Sequence, residues 1–193
     1  VYDVAAAIGL DPRIGRRFLN AGIGFGGSCL PKDLQALIHR AEALGCSPLL
    51  LKAIYETNAG QSDRFMELIR GRLGDLKGKT LAVLGIAFKP GTDDIRQAPA
   101  LAVISRLLDA GAKVQVYDPL VKKGALFEGS EEVAWCSGAK DAMTGCDAVI
   151  ITTEWEEFRD PDLYRGKTVF DGRRALEPER ARQVCAYYEG ICW

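Results

Sequence analysis

The residues best suited to chemistry lie in one stretch, Gly22-Ile23-Gly24-Phe25-Gly26-Gly27-Ser28-Cys29-Leu30-Pro31-Lys32-Asp33. Four glycines within six residues leave a backbone nearly free of Cβ atoms, able to take positive φ and to pass close to a bound molecule. Pro31 suits the first turn of a helix, where its missing N–H costs nothing, and Leu34, Leu37, Ile38, Ala41 and Leu44 continue at helical spacing. Cys29 is therefore expected at a helix N-terminus. The partial positive charge there, the unpaired N–H groups and the Lys32 cation all favour thiolate over thiol, which makes Cys29 a candidate nucleophile. The competing reading is a buried structural cysteine on a glycine turn, which explains neither the glycine run nor the charged pair beside it.

Other charged residues are expected at the ends of strands. Gly85-Ile86-Ala87-Phe88-Lys89-Pro90-Gly91-Thr92-Asp93-Asp94-Ile95-Arg96 occupies the position of a dinucleotide fingerprint but lacks GxGxxG, so it is poor support for an NAD site there. Its lysine and arginine suit a phosphate held by side chains, or else are solvated loop charges. Asp118 could bind a ribose hydroxyl, but before Pro119 the turn-forming reading is preferred. Asp171-Gly172-Arg173-Arg174 again follows a strand directly. Arg13, Arg16 and Arg17 form a basic helix face just ahead of the glycine loop, either solvated or contributing to a phosphate site. His39 has no cysteine or carboxylate spaced to join it, so neither a Cys–His dyad nor a metal site is supported. The six cysteines, at 29, 46, 136, 146, 185 and 192, form no CxxC pair and are expected as reduced thiols.

The elements that must position these groups change character part-way along the chain. Val1 to Ile8 reads as the end of an amphipathic helix, and the Pro31 helix follows the glycine loop. A second helix is predicted from about Pro48 to Leu73, roughly 39 Å long at 1.5 Å per residue, with a polar interruption at Glu56-Thr57-Asn58 and Gln61. A helix of that length with an apolar stripe suits pairing across subunits, so a homodimer through the helical region is expected. Asp75 to Lys79 is a short linker. Beyond it strands and helices alternate: Thr80 to Gly85, a helix from Ala98 to Ala110, Lys113 to Tyr117, Ala148 to Thr152 and Thr168 to Asp171, with further strand candidates at Val133-Ala134-Trp135 and Ala186-Tyr187-Tyr188. The expected fold is α/β: a helical region over 1–74, then a Rossmann-like, doubly wound parallel sheet over 79–193.

Composition narrows the partners. With 25 basic and 26 acidic residues the net charge is −1, so no global field recruits nucleic acid or an anionic membrane. No uncharged run is long enough to span a bilayer, the N-terminus lacks a signal-peptide layout, and a cytoplasmic location is the expectation.

Taken together, Asp11 through Asp33, the Phe88 to Arg96 loop and Asp171 to Arg174 resemble the central and C-terminal portions of the UDP-glucose/GDP-mannose dehydrogenase family. GFGGSC followed by PKD, and AFKPGTDDIR, carry the likeness in the family's order, and it spans essentially the whole chain. Asp11-Pro12-Arg13-Ile14-Gly15 and Thr153-Glu154-Trp155-Glu156-Glu157-Phe158 favour the UDP-glucose branch. The resemblance implies NAD as cofactor and a four-electron oxidation of a nucleotide sugar's C6 alcohol. It assigns Cys29 as nucleophile, Asp33 to proton transfer or water, and Lys32 to charge near the nicotinamide. It places Arg13, reaching across a dimer contact, Asn20, Gly22, Gly24, Phe25, Gly26, Phe88, Lys89 and Arg173 around the UDP-sugar, and Cys29, Lys32 and Arg96 against the cofactor.

The family also carries an N-terminal Rossmann domain with GxGxxG, a glutamate and a lysine–asparagine pair, and no part of this sequence corresponds to them. The chain opens on Val1 and reads as a fragment of the enzyme, inactive by itself. Two alternatives stand beside UDP-glucose oxidation. One is a related oxidation of UDP-N-acetylmannosamine or GDP-mannose, and the other is a non-catalytic nucleotide-binding or dimerisation module.

Overall fold

A computed structural model describes residues 1–122, 124 and 130–191; Cys192 lies outside the described residues. Helix α1 (Tyr2–Gly9) leads through turns and the glycine loop to α2 (Leu30–Ala43), which has Pro31 in its first turn, and to α3 (Leu49–Leu73), which begins directly after Pro48. At Gly74 φ is +70°, and its N–H closes the last turn of α3 on Arg70 O at 2.8 Å. The helix is buried only in its C-terminal half, through Ser62, Phe65, Met66 and Ile69.

Residues 74–79 lead into an all-parallel sheet of β1 (Thr80–Leu84), β2 (Lys113–Tyr117), β3 (Val133–Trp135), β4 (Ala148–Ile151), β5 (Thr168–Asp171) and β6 (Tyr187–Gly190). The spatial order is β3-β2-β1-β4-β5-β6. The chain winds outward from β1 to β3, then returns to β4 on the other side of β1. This reversal is the place where a doubly wound sheet ordinarily opens a ligand crevice. Period-two alternation sends Leu81, Val83, Val114, Val116, Ile150 and Phe170 to one face, where α3 and α4 (Pro99–Asp109) bury Phe65, Met66, Ile69, Val103, Ile104 and Leu107. Ala82, Leu84, Val149, Ile151 and Val169 face α5 (Ala139–Ala142), α6 (Pro178–Val184), Phe158 and Tyr164.

The α/β architecture and the parallel sheet follow the sequence expectation, with two local differences. Residues 11–18 form turns, not the expected helix carrying Arg13, Arg16 and Arg17. Asp11 Oδ1 accepts from Arg13 N–H at 2.9 Å and Gly15 sits at φ +67°, a combination that closes a turn and stops a helix from propagating. The last strand runs Tyr187–Gly190, displaced towards the C-terminus from Ala186 to Tyr188.

Candidate active site

The crevice at the sheet reversal is filled by the protein itself. Asp118, only 5% exposed, accepts from Ile86 N–H at 2.7 Å, Ala87 N–H at 3.0 Å, Leu120 N–H at 2.9 Å, Val121 N–H at 3.0 Å and Trp155 Nε1 at 3.1 Å. Just after β4, the Thr152 hydroxyl donates to Gly85 O and Thr153 Oγ1 donates to Ala87 O at 2.6 Å, which stitches the two loops together. The preferred reading of Asp118 as a turn-forming residue agrees with this geometry. Its oxygens are fully engaged, leaving no acceptor for a ribose.

A cleft of about 570 Å³ lies beside that crevice, between the helical segment and the sheet. Asn20, Gly22, Gly24, Phe25 and Gly26 line one side, and Phe88, Lys89 and Arg173 the other. Arg173 is held to three segments at once: Nε donates to Thr152 O at 3.1 Å, Nη1 to Gly24 O at 3.0 Å and Nη2 to Phe88 O at 3.5 Å. Its turn is built by buried Asp171, which accepts from Arg173 N–H at 2.9 Å, Ala175 N–H at 3.1 Å, Leu176 N–H at 3.0 Å and Tyr188 Oη at 2.9 Å. Burial pushes the Asp171 carboxyl above the ordinary carboxylate range, and these bonds pull it only part of the way back.

The glycine loop docks on the same turn. Ile23 is buried in the core and its N–H donates to Gly172 O at 3.0 Å, while Gly27 N–H donates to Arg96 O at 2.8 Å. At Gly26 a Cβ would stand 2.2 Å from Gln97 O, so only glycine lets the loop lie this close to the segment before α4.

Cys29 follows as the residue preceding α2. It is exposed, against the structural-cysteine reading, and Ser28 Oγ lies 3.7 Å from its Sγ. Lys32 and Asp33 pair at 3.2 Å and are both solvent-exposed. Arg96 is gripped by Asp94, whose hydrogen bonds and charge raise the guanidinium above its ordinary value. Burial pushes the Cys185 thiol up to about 11 and raises Cys136 and Cys146 as well. All five described cysteines are unpaired, and among the described residues no group of three His, Cys, Asp or Glu side chains could hold a metal.

Two family models match along the chain: the central domain of the UDP-glucose/GDP-mannose dehydrogenase family over residues 1–60, and its UDP binding domain over residues 82–178. The chain belongs to this family. Among curated relatives, UDP-glucose 6-dehydrogenase AglM of Haloferax volcanii is 47% identical over 178 residues, covering 90% of this chain and 41% of the relative. The solved UDP-glucose dehydrogenase of the hyperthermophilic archaeon Pyrobaculum islandicum superposes with TM-score 0.88 at 40% identity, over 100% of this chain and 43% of that one. A UDP-D-ManNAc dehydrogenase from Pyrococcus horikoshii gives TM-score 0.77 at 26% identity, over 98% of this chain and 43% of that one. The chain spans less than half the length of these relatives.

In this member of the dehydrogenase family Arg13, expected to act across a dimer contact, lies outside the cleft of its own chain, with its exposed guanidinium paired to Asp11 at 2.6 Å. Cys29, Lys32, Asp33 and Arg96 also lie outside the cleft lining. Arg17, left open between a solvated face and a phosphate site, lines the cleft; Phe18, Leu30, Asn58 and Glu154, which line it as well, were not singled out as site residues by the sequence reading. Glu154 Oε2 is buried without a hydrogen bond and stands 3.7 Å from Arg173 Nε, so it compensates that buried charge. Its position right after Thr152-Thr153, at the end of β4, was the available signal. Among the described residues no helix is long and apolar enough to cross a membrane.

Proposed function

We propose that this chain supplies the reactive cysteine and the nucleotide-sugar cleft of an NAD-dependent dehydrogenase that oxidises UDP-glucose to UDP-glucuronate. The observation that carries this reading is the cleft itself. It sets aromatic Phe18, Phe25 and Phe88 beside the cations Arg17, Lys89 and Arg173. Aromatic faces suit a base, and clustered cations suit a pyrophosphate through charge-assisted hydrogen bonds. The similarity to UDP-glucose dehydrogenases at 40–47% identity supports UDP-glucose over UDP-N-acetylmannosamine or GDP-mannose.

Oxidation of the C6 alcohol to a carboxylate removes four electrons. Cys29 acts on the aldehyde stage: its thiolate adds to the carbonyl carbon to give a thiohemiacetal, loss of hydride leaves a thioester, and water releases the carboxylate and the free thiol. Asp33 orients that water or carries its proton, and Lys32 supports negative charge developing nearby. Because the Ile86 and Ala87 amides and Asp118 are engaged with each other, a dinucleotide does not fit the β1–β4 crevice. The exposed side chains of Cys29, Lys32 and Arg96 do fit contact with the reacting end of a nicotinamide dinucleotide. When bound, that cofactor supplies the hydride acceptor. The rest of its binding site belongs, in this reading, to the Rossmann domain that the resemblance implies.

The exposed apolar residues Leu37, Leu44, Leu49, Leu50, Ile54 and Tyr55 on and beside α2 and α3 are read as a homodimer face. Calorimetry with UDP-glucose, UDP-N-acetylmannosamine and GDP-mannose tests the functional reading. UDP-glucose should bind best, and absence of binding by any UDP-sugar would overturn the cleft assignment.

A further inference from the structure

The glycine loop has a second anchor on the helical side. Asn58 stands mid-way along α3, and its carboxamide engages both backbone groups of Phe25: Phe25 N–H donates to Asn58 Oδ1 at 2.7 Å, and Asn58 Nδ2 donates to Phe25 O at 3.1 Å. Both bonds are partly buried, where each is worth more than at a fully wet surface. Only a carboxamide offers an acceptor and a donor side by side. Gly24 is fitted to the same contact, with φ +112° and space for a Cβ only 3.0 Å from Asn58 Oδ1. The other ties on this loop, Ile23 to Gly172, Arg173 to Gly24 and Gly27 to Arg96, all come from the sheet side. Without Asn58 the loop would keep its sheet-side ties and lose this two-point hold on α3.

We propose that Asn58 is a positioning residue for the reactive loop. By fixing the Phe25 peptide it sets the cleft wall at Gly24-Phe25-Gly26 and, four residues on, the orientation of the Cys29 thiol relative to the start of α2 and to Arg96. The ligand arm of the following test rests on the nucleotide-sugar reading, and the thiol arm does not.

Asn58→Ala and Asn58→Asp are compared with the parent chain for UDP-glucose affinity and for alkylation of Cys29 relative to exposed Cys46, with buried Cys185 reporting global opening. Asn58→Ala should weaken UDP-glucose about tenfold, the effect of losing two modest hydrogen bonds, and should lower the Cys29 to Cys46 ratio while Cys185 stays protected. Asn58→Asp keeps the acceptor for Phe25 N–H and should recover part of both. Affinity and ratio unchanged from the parent, with Cys185 protected, would overturn the proposal. If both variants expose Cys185, amide exchange in the unsubstituted chain decides: Phe25 as slow as the interior of α3 supports the clamp, and Phe25 at loop speed overturns it. A parent that binds no UDP-glucose would remove the nucleotide-sugar reading, while the thiol ratio and amide exchange would still judge Asn58.

Discussion

Asp118 and Arg173 both stand where strands of one sheet end, and both carry charge, yet they have opposite fates. Asp118 is saturated by four backbone amides and an indole, and the reversal crevice around it is closed. Arg173 is fixed by three carbonyls, but it remains on the wall of an open cleft beside Lys89. A strand-end charge becomes a ligand contact only where the fold leaves part of its hydrogen-bonding capacity unspent. The doubly wound topology fixes where such charges gather, and local satisfaction decides which of them face a ligand.

The comparison breaks most visibly at Asp118. Asp118→Ala strands several buried donors and should cost about 4 kcal/mol of stability, measured by urea unfolding, while leaving UDP-glucose affinity of the folded fraction unchanged. A stable variant with weakened nucleotide binding would reverse the roles assigned to the two strand ends. Next, Lys89→Ala should weaken UDP-glucose about tenfold by calorimetry with little loss of stability, because the exposed ammonium is read as a ligand contact and its 5.5 Å approach to the Phe88 ring is a weak surface cation–π contact.

Those two expectations also separate what the sequence made legible from what it hid. The Asp118-Pro119 pair was readable because turn chemistry is local, and the buried strands were readable because each is a short apolar run bounded by turn residues. Cys29 at the start of α2 followed from Pro31 for the same reason. Asn58 was visible only as a polar interruption in an apolar stripe, since its partner Phe25 lies 33 residues away and no local pattern links them. Arg13, Arg16 and Arg17 suited a helix face by spacing alone, and the Asp11 turn with Gly15 at positive φ decided against it. Helices α5 and α6, of 4 and 7 residues, are too short to show a helical period.

The smallest effect concerns the Asp94–Arg96 pair, next to the point where Arg96 O holds the glycine loop at Gly27. Arg96 holds Asp94 at about 2, below its ordinary value of 3.8, so the folded state binds fewer protons there than the unfolded chain. The contribution is present above the ordinary value and is lost as pH falls through about 2. Arg96 is exposed and Asp94 partly so, and the effect is therefore screened and small. Arg96→Ala should lower the melting temperature slightly near neutral pH, and the difference should vanish in strong acid. A difference that persists there would mean that Arg96 stabilises the fold by packing, not by charge.

Hydrogen exchange read by mass spectrometry, with and without saturating UDP-glucose, tests the central claim most directly. The account predicts slower exchange over residues 20–30, 88–91 and 172–174 on binding, with 85–87 and 117–120 unchanged. Slowing confined to 85–87 and 117–120, with the glycine loop unaffected, would place the nucleotide in the reversal crevice and contradict the account.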